Sequence, residues 1–367
     1  MSPGTKYMVV DLGGGTADIT VHEKLEGSRL KEIRKASGGP WGGTTVDSAF
    51  FQMIISITGK AVMDSLRREY TYDYLDLFRE FEAAKRKFGQ DSKDKMIIKI
   101  PAALNELCER FRESTFKTCL TESVHSNNIS LMADKMIVDP NLVELFFRKA
   151  TDQIVDHIQS ILKEDGSKNI SMILMVGGFS DSLFVQDVMR KTFHGRNGIK
   201  VFIPKDAGMT VVKGAVIFGR LPQSIKTRVL RFTYGFDEAP EFIEGEHREK
   251  NKLVTDTGIR CSGVFRILVA TGSEVATGFS KKVSFLTIND FQEEMDVSVY
   301  YSKEQNPEYI TDPECKLLGR LIVQIPNPSK SRRWVDVTYH FGTGEITVNA
   351  VERSTKLPCT ASFSMIE

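Results

Sequence analysis

The spacing of apolar residues along this chain changes near residue 225, and that change limits the folds open to it. Before this point, short continuous apolar runs such as Ile173–Val176 alternate with segments whose apolar residues recur every three or four positions, as in residues 142–162. Alternating buried strands and amphipathic helices are typical of an α/β layer structure. After residue 225 the helical period disappears, and β-rich runs are separated by turn residues. This second pattern predicts a small antiparallel sandwich or partial barrel.

These two patterns predict two domains joined by a linker. A chain of 367 residues is expected to form two or three domains, at roughly 150 residues per domain. We place the α/β domain at residues 1–220, the linker at residues 221–230 and the all-β domain at residues 231–367. Within the second domain, Phe341–Val351 is expected to form a hairpin with a glycine-containing connection.

The charge, the hydropathy and the cysteines exclude several classes of protein. Lysine and arginine total 49 against 48 acidic residues, a net charge of +1, whereas a dedicated nucleic-acid-binding protein carries a basic excess. No apolar run approaches the roughly 18 residues that span a bilayer, and the N-terminus does not resemble a signal peptide. The five cysteines form no Cys-x-x-Cys pair, which favours free thiols in a reducing compartment. We therefore expect a cytoplasmic protein that neither binds nucleic acid nor inserts into a membrane.

A glycine-rich segment joins the first two expected strands. In it, Gly13, Gly14 and Gly15 leave backbone N–H groups bare, and Thr16 adds a hydroxyl donor. A concave run of N–H dipoles suits an anion such as a phosphate. Asp11, at the end of the first strand, could hold a hydrated Mg²⁺ or orient an attacking water. The alternative is a flexible hairpin turn beside an acidic residue.

Two further glycine pairs, Gly42-Gly43 and Gly177-Gly178, stand where the chain is expected to turn into a helix. Helix N-termini offer unpaired N–H groups and a positive dipole end, which suit a phosphate or a ribose edge. The alternative for either pair is ordinary loop glycine. Because all three glycine segments could line the mouth of one sheet, we interpret them together as a candidate binding site.

Local capping signals predict where several helices begin. Thr44 with Asp47 resembles a capping box, and Ser180 is expected to cap the helix after the second glycine pair. Asp139-Pro140 places a capping side chain before a proline suited to the first helical position. These signals predict helix starts near residues 44, 140 and 181.

Three charged residues, Glu82, Lys85 and Arg86, share one helix face because they are spaced three and four positions apart. Such a group can hold a nucleoside, with Arg86 stacked on the base and Glu82 accepting hydrogen bonds from the ribose hydroxyls. The alternative is a solvated charge cluster with an ion pair between Glu82 and Arg86.

Taken in order, these motifs resemble the second lobe of the actin-like (ribonuclease H-like) ATPase domain of the heat shock 70 kDa proteins, and most closely the divergent branch called heat shock 70 kDa protein 12. The matching stretches are Asp11–Asp18, Gly39–Gly43, Glu82–Arg86, Val176–Ser180 and Lys213–Val216. In that family a peptide-binding β-sandwich follows the ATPase domain, which fits the β-rich second half. The resemblance implies an α/β actin-like ATPase lobe followed by an all-β sandwich domain.

The resemblance also implies ATP or ADP, with Mg²⁺, as ligands. Gly13, Gly14, Gly15 and Thr16 would cradle the outer phosphates of ATP, and Asp11 would act near Mg²⁺ and the attacking water. The first helix-start pair, Gly42-Gly43, would approach the same phosphates. The three charged residues of the helix face and the second glycine pair would hold the nucleoside. These residues are Glu82, Lys85, Arg86, Gly177 and Gly178.

The chain departs from the family pattern at several points. Phe179 and Asp181 replace a serine and an arginine that touch the nucleoside in the family, and Gly89 replaces a hydroxyl residue. The linker is polar and basic rather than acidic and leucine-rich, and no helical lid follows the sandwich. A first lobe with its own phosphate hairpin would precede Tyr7 in the family. Without it, half of the clamp around the transferred phosphoryl group is missing, so weak or absent hydrolysis is expected.

Three functional hypotheses follow. The first is a binding protein of the chaperone type, which holds nucleotide in one domain and extended peptides or unfolded client proteins in the other, together with co-chaperones. The second is an ATP hydrolase that works through Asp11 in a full-length form. The third is a non-catalytic scaffold that has lost the use of nucleotide, which the side chains of Phe179 and Asp181 favour.

Overall fold

The structure is a computed structural model that describes residues 1–27, 29–89, 95–220, 225–342 and 344–365. Contacts between residues divide the chain into two compact units. The first unit comprises Met1–His22 and Ser37–Arg220, and the second comprises the described residues of Glu23–Ala36 and Leu221–Glu367. Residues 221–224 of the expected linker and Thr343 of the expected hairpin lie outside the described residues.

Strands and helices alternate up to Arg220. The strands are β1 (Lys6–Leu12), β2 (Ala17–Lys24), β3 (Leu30–Gly39), β4 (Met96–Lys99), β5 (Ile129–Met132), β6 (Lys135–Val138), β7 (Ile170–Val176) and β8 (Lys200–Phe202). The α-helices are α1 (Gly43–Thr58), α2 (Lys60–Glu69), α3 (Thr71–Lys87), α4 (Ala102–Arg112), α5 (Phe116–Glu122), α6 (Pro140–Lys163), α7 (Leu183–Phe193) and α8 (Ala207–Arg220).

A parallel sheet of β1, β7 and β8, with β2 on the other side of β1, forms the centre of the first unit. The strands are mostly apolar, as is typical of parallel strands covered by helices. The register pairs Val9 with Leu174 and Asp11 with Val176, so β1 and β7 end at the same edge. Ligands of open α/β sheets bind outside the carboxyl ends of the strands. This edge therefore positions the candidate site.

The helices around this sheet bury their apolar stripes. Helix α6 begins at Pro140 with Asp139 at its N-cap, as predicted, although the Asp139 carboxylate forms an ion pair with Lys95 at 3.0 Å instead of capping. Phe50 of α1 stacks on Phe81 of α3, with ring centroids 4.0 Å apart. This contact holds the charged face of α3 beside the start of α1. Among the helices of the described residues, none has the length and apolar character needed to cross a membrane.

The second half of the chain contains only strands and short turns of 3-10 helix among its described residues. The strands are β9 (Ile225–Val229), β10 (Thr233–Glu238), β11 (Lys252–Thr255), β12 (Gly258–Cys261), β13 (Val264–Val269), β14 (Glu274–Ala276), β15 (Phe279–Leu286), β16 (Glu294–Ser302), β17 (Cys315–Gln324), β18 (Trp334–Phe341), β19 (Glu345–Glu352) and β20 (Pro358–Ser364).

Two four-stranded antiparallel sheets make up most of the second unit, in the orders β13-β10-β16-β17 and β15-β18-β19-β20. Residues of β18 and β19 are buried alternately, because successive side chains of a strand point to opposite faces. The expected hairpin is formed by these two strands, with Phe341 opposite Ile346. Inward residues of both sheets share one apolar core, in which the rings of Phe236 and Tyr339 lie 5.8 Å apart.

A buried ion pair lies at the end of this core. Arg333 Nη2 is 2.9 Å from Glu352 Oε2, and Glu352 is only 1% exposed. The Glu352 carboxylate also accepts hydrogen bonds from the backbone amides of Ser354 (3.0 Å) and Thr355 (2.7 Å). Burial alone would raise the pKa of Glu352, but these hydrogen bonds and Arg333 lower it below its usual range.

We expect Glu352→Gln to lower the free energy of unfolding by about 2 kcal/mol at pH 7, because hydrogen bonds to a charged group are lost. The lowered pKa of Glu352 means that its contribution is complete above the unfolded-state pKa of about 4.3 and is lost progressively as the pH falls from there through the lower folded-state pKa. Urea unfolding of both proteins between pH 7 and pH 3 should therefore show a difference that shrinks on acidification. A difference that is constant with pH would contradict this prediction.

Candidate functional site

A cavity of 240 Å³ lies at the edge where β1 and β7 end. It is enclosed by the loop after β1, the start of α1, one face of α3 and the short 3-10 helix Gly178–Asp181 with the residue that follows it. Its lining residues are Gly13, Gly14, Gly43, Thr44, Asp47, Glu82, Lys85, Arg86, Gly178, Phe179 and Ser182.

Seven of the residues singled out from the sequence therefore meet in one place, namely Gly13, Gly14, Gly43, Glu82, Lys85, Arg86 and Gly178. The other five are next to them in the chain or in space but do not line the cavity, namely Asp11, Gly15, Thr16, Gly42 and Gly177. The lining residues that sequence reasoning did not assign to the site are Thr44, Asp47, Phe179 and Ser182.

Carbonyl groups of the glycine loop, residues 13–16, accept backbone hydrogen bonds that fix the loop against the start of α1. Gly13 N donates to Thr16 O at 2.9 Å, while Gly43 N and Thr44 N of α1 donate to Gly13 O (3.1 Å) and Gly14 O (2.8 Å). The first amides of α1 are thus used within the protein, where the sequence had predicted free donors. The amides of Gly14 and Gly15 have no acceptor within the part of the chain that the structure describes. These two amides remain available to a bound anion.

The glycines of this region are required for different reasons. A Cβ atom on Gly42 would overlap the carbonyl oxygen of Gly14 and lie 2.7 Å from Gly13 O, so only glycine lets α1 approach the loop so closely. A Cβ atom on Gly14 or Gly15 would meet no atom within 4 Å, and neither residue has a positive φ. The fold therefore does not require glycine at these two positions, although glycine costs conformational entropy on folding.

The Asp11 carboxylate lies beside the cavity rather than in its wall. A Cβ atom on Gly177 would collide with its Oδ1, so the Asp11 carboxylate lies directly beside Gly177. Burial, and then the nearby Asp18, raise the pKa of Asp11. Thr16 Oγ1 donates a hydrogen bond to Asp18 Oδ2 at 2.8 Å, so this hydroxyl proton already has a partner. Within the described ranges, no group of three or more acidic, histidine or cysteine residues is arranged to hold a metal ion.

Lys85 is the centre of a buried charge cluster. It is only 4% exposed, and its Nζ lies 2.6 Å from Asp47 Oδ1 and 2.5 Å from Glu82 Oε2. Glu82 Oε1 accepts a second hydrogen bond from Arg86 Nε at 2.9 Å. The ion pair between Glu82 and Arg86 that the sequence suggested is present. The cluster is not solvated as a whole, however, because Lys85 and Asp47 are buried.

The surroundings shift the pKa values of the two carboxylates in this cluster in opposite directions. Burial raises the pKa of Asp47, and the hydrogen bond from Lys85 opposes this effect without cancelling it. For Glu82, burial acts in the same direction, but the hydrogen bonds from Lys85 and Arg86 outweigh it and lower the pKa. Two carboxylates thus share one buried ammonium group at the wall of the cavity.

None of the three expected side-chain caps is formed: Asp139 pairs with Lys95, and the other two roles are wrong as well. Helix α1 has Gly42 at its N-cap, and Asp47, expected in a capping box, binds Lys85 instead. Helix α7 has Ser182 at its N-cap, whereas Ser180 lies in the preceding 3-10 helix and its hydroxyl donates to Val176 O at 2.6 Å. Capping signals depend on adjacent residues alone, so a tertiary partner can redirect them.

Comparison with known proteins covers both units. A family model described as a domain of unknown function (DUF8340) matches residues 2–193, a range that contains the whole cavity lining. The chain is 30% identical to heat shock 70 kDa protein 12B of Homo sapiens over 100% of its length, and 29% identical to heat shock 70 kDa protein 12A of Homo sapiens over 97%. It is 23% identical to the chaperone protein DnaK of Methanothermobacter thermautotrophicus over 95%.

The region that aligns with this chain is only part of each relative. The aligned region covers 55% of the 12B protein, 53% of the 12A protein and 50% of the DnaK protein. The chain therefore spans about half the length of the curated relatives that it matches.

Proposed function

The chain belongs to the DUF8340 family and to the divergent 12 branch of the heat shock 70 kDa proteins, and we propose that its first unit binds the phosphates of ATP or ADP. The observation that carries this proposal is the state of Gly14 and Gly15. Their amides have no acceptor among the described residues, and the fold does not require either residue to be glycine. Bare, unpaired amides beside a cavity are the arrangement that binds phosphate oxygens.

The size of the cavity supports a site in which the nucleoside and the outer phosphates of the nucleotide bind in different places. Pockets that enclose a whole drug-sized ligand measure about 300–1,000 Å³, and this one measures 240 Å³. We infer that the cavity takes the nucleoside and that the outer phosphates lie along Gly14, Gly15 and Thr16. Arg86, whose side chain is 59% exposed, would face the nucleoside from α3. We propose that Lys85 and Glu82 also contact the nucleoside, although the two side chains are bound to each other as well.

The acidic residues beside the loop suit a hydrated cation. Mg²⁺ is usually bound by one or two carboxylates together with substrate phosphates and waters, and Asp11 and Asp18 are close enough for Asp18 to raise the pKa of Asp11. We propose that Asp11 holds Mg²⁺ through water and that the ion, when bound, neutralises phosphate charge. The raised pKa of Asp11 also suits a group that accepts a proton from water. Hydrolysis belongs to the alternative in which a longer form of the protein is an ATP hydrolase.

For the domains, we propose that residues 1–220 are the second lobe of an actin-like ATPase domain and that residues 231–367 form a peptide-binding-like sandwich. Of the linker expected at 221–230, residues 225–229 form strand β9 within the second unit. The parallel order β1-β7-β8 and the two sheets with a common core support this division.

The partners in this proposal come from the family. Relatives named as heat shock and chaperone proteins support extended peptides or unfolded client proteins as ligands of the second unit, with co-chaperones as further partners. Exposed strand edges can bind an extended peptide through backbone hydrogen bonds. A cytoplasmic location is also part of the proposal.

The test is a titration with a fluorescent ATP analogue in the presence of Mg²⁺. We expect Gly14→Val to weaken binding at least about tenfold, the equivalent of 1.4 kcal/mol, because the side chain would occupy the space beside the free amides. Thermal melts should agree, since ATP stabilises only a protein that binds it. Gly166 is a matched control, because its Cβ atom would also meet no neighbour and it lies outside the cavity lining.

The outcomes separate the proposal from its rival. Gly166→Val should bind like the unmodified chain. If the unmodified chain shows no binding and no rise in melting temperature with ATP, the nucleotide proposal fails and the non-catalytic scaffold is favoured. Binding that is equally strong in Gly14→Val would show that the nucleotide lies elsewhere.

A further inference from the structure

Strand β5 lies at an open edge of the small three-stranded sheet in the first unit. The strand order of this sheet is β4-β6-β5, so among the described residues β5 pairs on one side only. The amide of Asp139 donates to Asn128 O at 2.9 Å, and the residue pairs of antiparallel strands alternate between bonded and non-bonded. In the register of β5 and β6, Ser130 is therefore in a bonded pair and Leu131 in a non-bonded one.

The backbone of Leu131 consequently points away from β6, toward the open edge. Neither its N–H nor its C=O group forms a hydrogen bond within the part of the chain that the structure describes. The nearby amide of Ile129, in contrast, donates to His125 O at 3.0 Å. An edge of this kind can accept a further strand, one residue of which exchanges two hydrogen bonds with Leu131.

A cavity of 210 Å³ lies between this edge and helix α5. Two of its lining residues, Leu120 of α5 and Ile129 of β5, are buried, at 3% and 5% exposed, and Leu131 is half-buried. Because side chains alternate along a strand, Ile129 and Leu131 share one face of the sheet. A residue opposite Leu131 in an added strand would direct its side chain to the same face. The cavity therefore suits an apolar side chain at that position.

The charge of this groove is positive. Lys117 is the one charged residue among those that line the cavity, and its ammonium group forms no ion pair with any residue that the structure describes. A cation of this kind favours a ligand that carries a carboxylate. Positions two residues apart in a strand share a face, so an acidic residue two positions from the apolar one would lie on the side of Lys117.

A second copy of this chain does not supply that carboxylate. If two β5 edges paired antiparallel with their Leu131 residues opposite each other, the residues two positions away would be Ile129 and Ala133. Both are apolar, and neither neutralises Lys117. The charge of the groove therefore favours a different chain as its occupant.

We propose that the groove between β5 and α5 binds an extended peptide segment of another protein, which adds as a strand to the edge of β5. An apolar residue of the segment exchanges hydrogen bonds with Leu131 and fills the cavity, and an acidic residue two positions away contacts Lys117. None of the residues that line this groove lines the nucleotide cavity. The site is also separate from any peptide that the second unit holds, because it belongs to the first unit.

The probe is a library of random heptapeptides displayed on phage, selected on the full chain and counter-selected on Leu131→Pro. Proline has no N–H group and is tolerated on edge strands, and a melting curve checks that the variant is folded. We expect the selected peptides to share an apolar residue with Asp or Glu two positions from it. In fluorescence anisotropy, one such peptide should bind Leu131→Pro about 3- to 10-fold more weakly, the loss that one backbone hydrogen bond represents.

Two further measurements do not depend on the proline variant. Methylation of the peptide nitrogen at its apolar residue removes the donor to Leu131 O and should weaken binding by a similar factor. Lys117→Glu should weaken binding about 2- to 10-fold, because an attraction is replaced by repulsion. Met132→Ala and Lys149→Glu are matched controls, since both residues are exposed and lie outside the cavity lining. Both should bind like the unmodified chain.

The remaining outcomes would overturn the proposal. Selected peptides without the apolar and acidic pattern would show that the groove does not choose its ligand. Binding that is equally strong in Leu131→Pro and Lys117→Glu would place the peptide elsewhere, for example on the second unit. Sedimentation of the chain alone tests the other occupant: a dimer that is lost in Leu131→Pro would show that a second copy fills the groove.

Discussion

Replacing Gly177 with alanine is expected to lower the free energy of unfolding of the first unit by about 2–6 kcal/mol, from backbone strain and overpacking together. Gly177 has φ 85° and ψ 160°, a region that only glycine adopts readily. A Cβ atom there would also collide with the backbone oxygen of Leu12 and with the Asp11 carboxylate. The backbone cannot move away without separating the ends of β1 and β7, which are paired at Asp11 and Val176.

The adjacent glycine provides the control for this prediction. Gly178 has no positive φ, and a Cβ atom on it would meet no atom within 4 Å. Gly178→Ala should therefore change stability by less than about 1 kcal/mol. Urea unfolding of the two variants measures both effects. Equal stability of Gly177→Ala and Gly178→Ala would show that the close approach of the strand ends is not maintained in solution.

Local sequence patterns predicted the elements that carry the site. Continuous apolar runs indicated β1 and β7, and the Asp-Pro pair indicated the start of α6 at Pro140, because both signals act through neighbouring residues. The β-rich runs and the glycine-containing connection within Phe341–Val351 likewise indicated the hairpin of β18 and β19. From these elements the mouth of the sheet, and the glycine loop within it, could be placed without coordinates.

Interactions between distant residues could not be predicted in this way. Asp47 and Lys85 are 38 positions apart, and nothing next to either residue in the chain indicates that they form a buried ion pair. The same holds for the start of α1, where the Thr44 amide donates a hydrogen bond to Gly14 O. The sequence pattern had predicted this amide to be a free donor. The expected cap by Ser180 was wrong, because its hydroxyl is bonded to Val176 O and the Phe184 amide at the start of α7 donates to Phe88 O, which is remote in the chain.

The second large effect on stability is expected when Lys85, which forms two buried ion pairs, is replaced. We expect Lys85→Met to lower the free energy of unfolding by about 3–5 kcal/mol, because removing one member of a buried pair leaves uncompensated charge. Asp47 is buried, and it would lose its nearest cation at 2.6 Å, while Glu82 would keep only the pair with Arg86. Methionine preserves most of the volume of the lysine stem, so the loss would report charge rather than packing.

Two comparisons isolate this charge effect. Arg86→Met removes an exposed cation from the same helix, and it should cost no more than about 1 kcal/mol. The double variant Lys85→Met with Asp47→Asn should recover part of the loss, because the buried negative charge is removed together with its partner. Urea unfolding of the unmodified chain, Lys85→Met, Asp47→Asn and the double variant gives the coupling energy between Lys85 and Asp47. If the double variant is as unstable as the sum of the single variants, the two residues do not interact in the folded protein, and the wall of the cavity is not built around their ion pair.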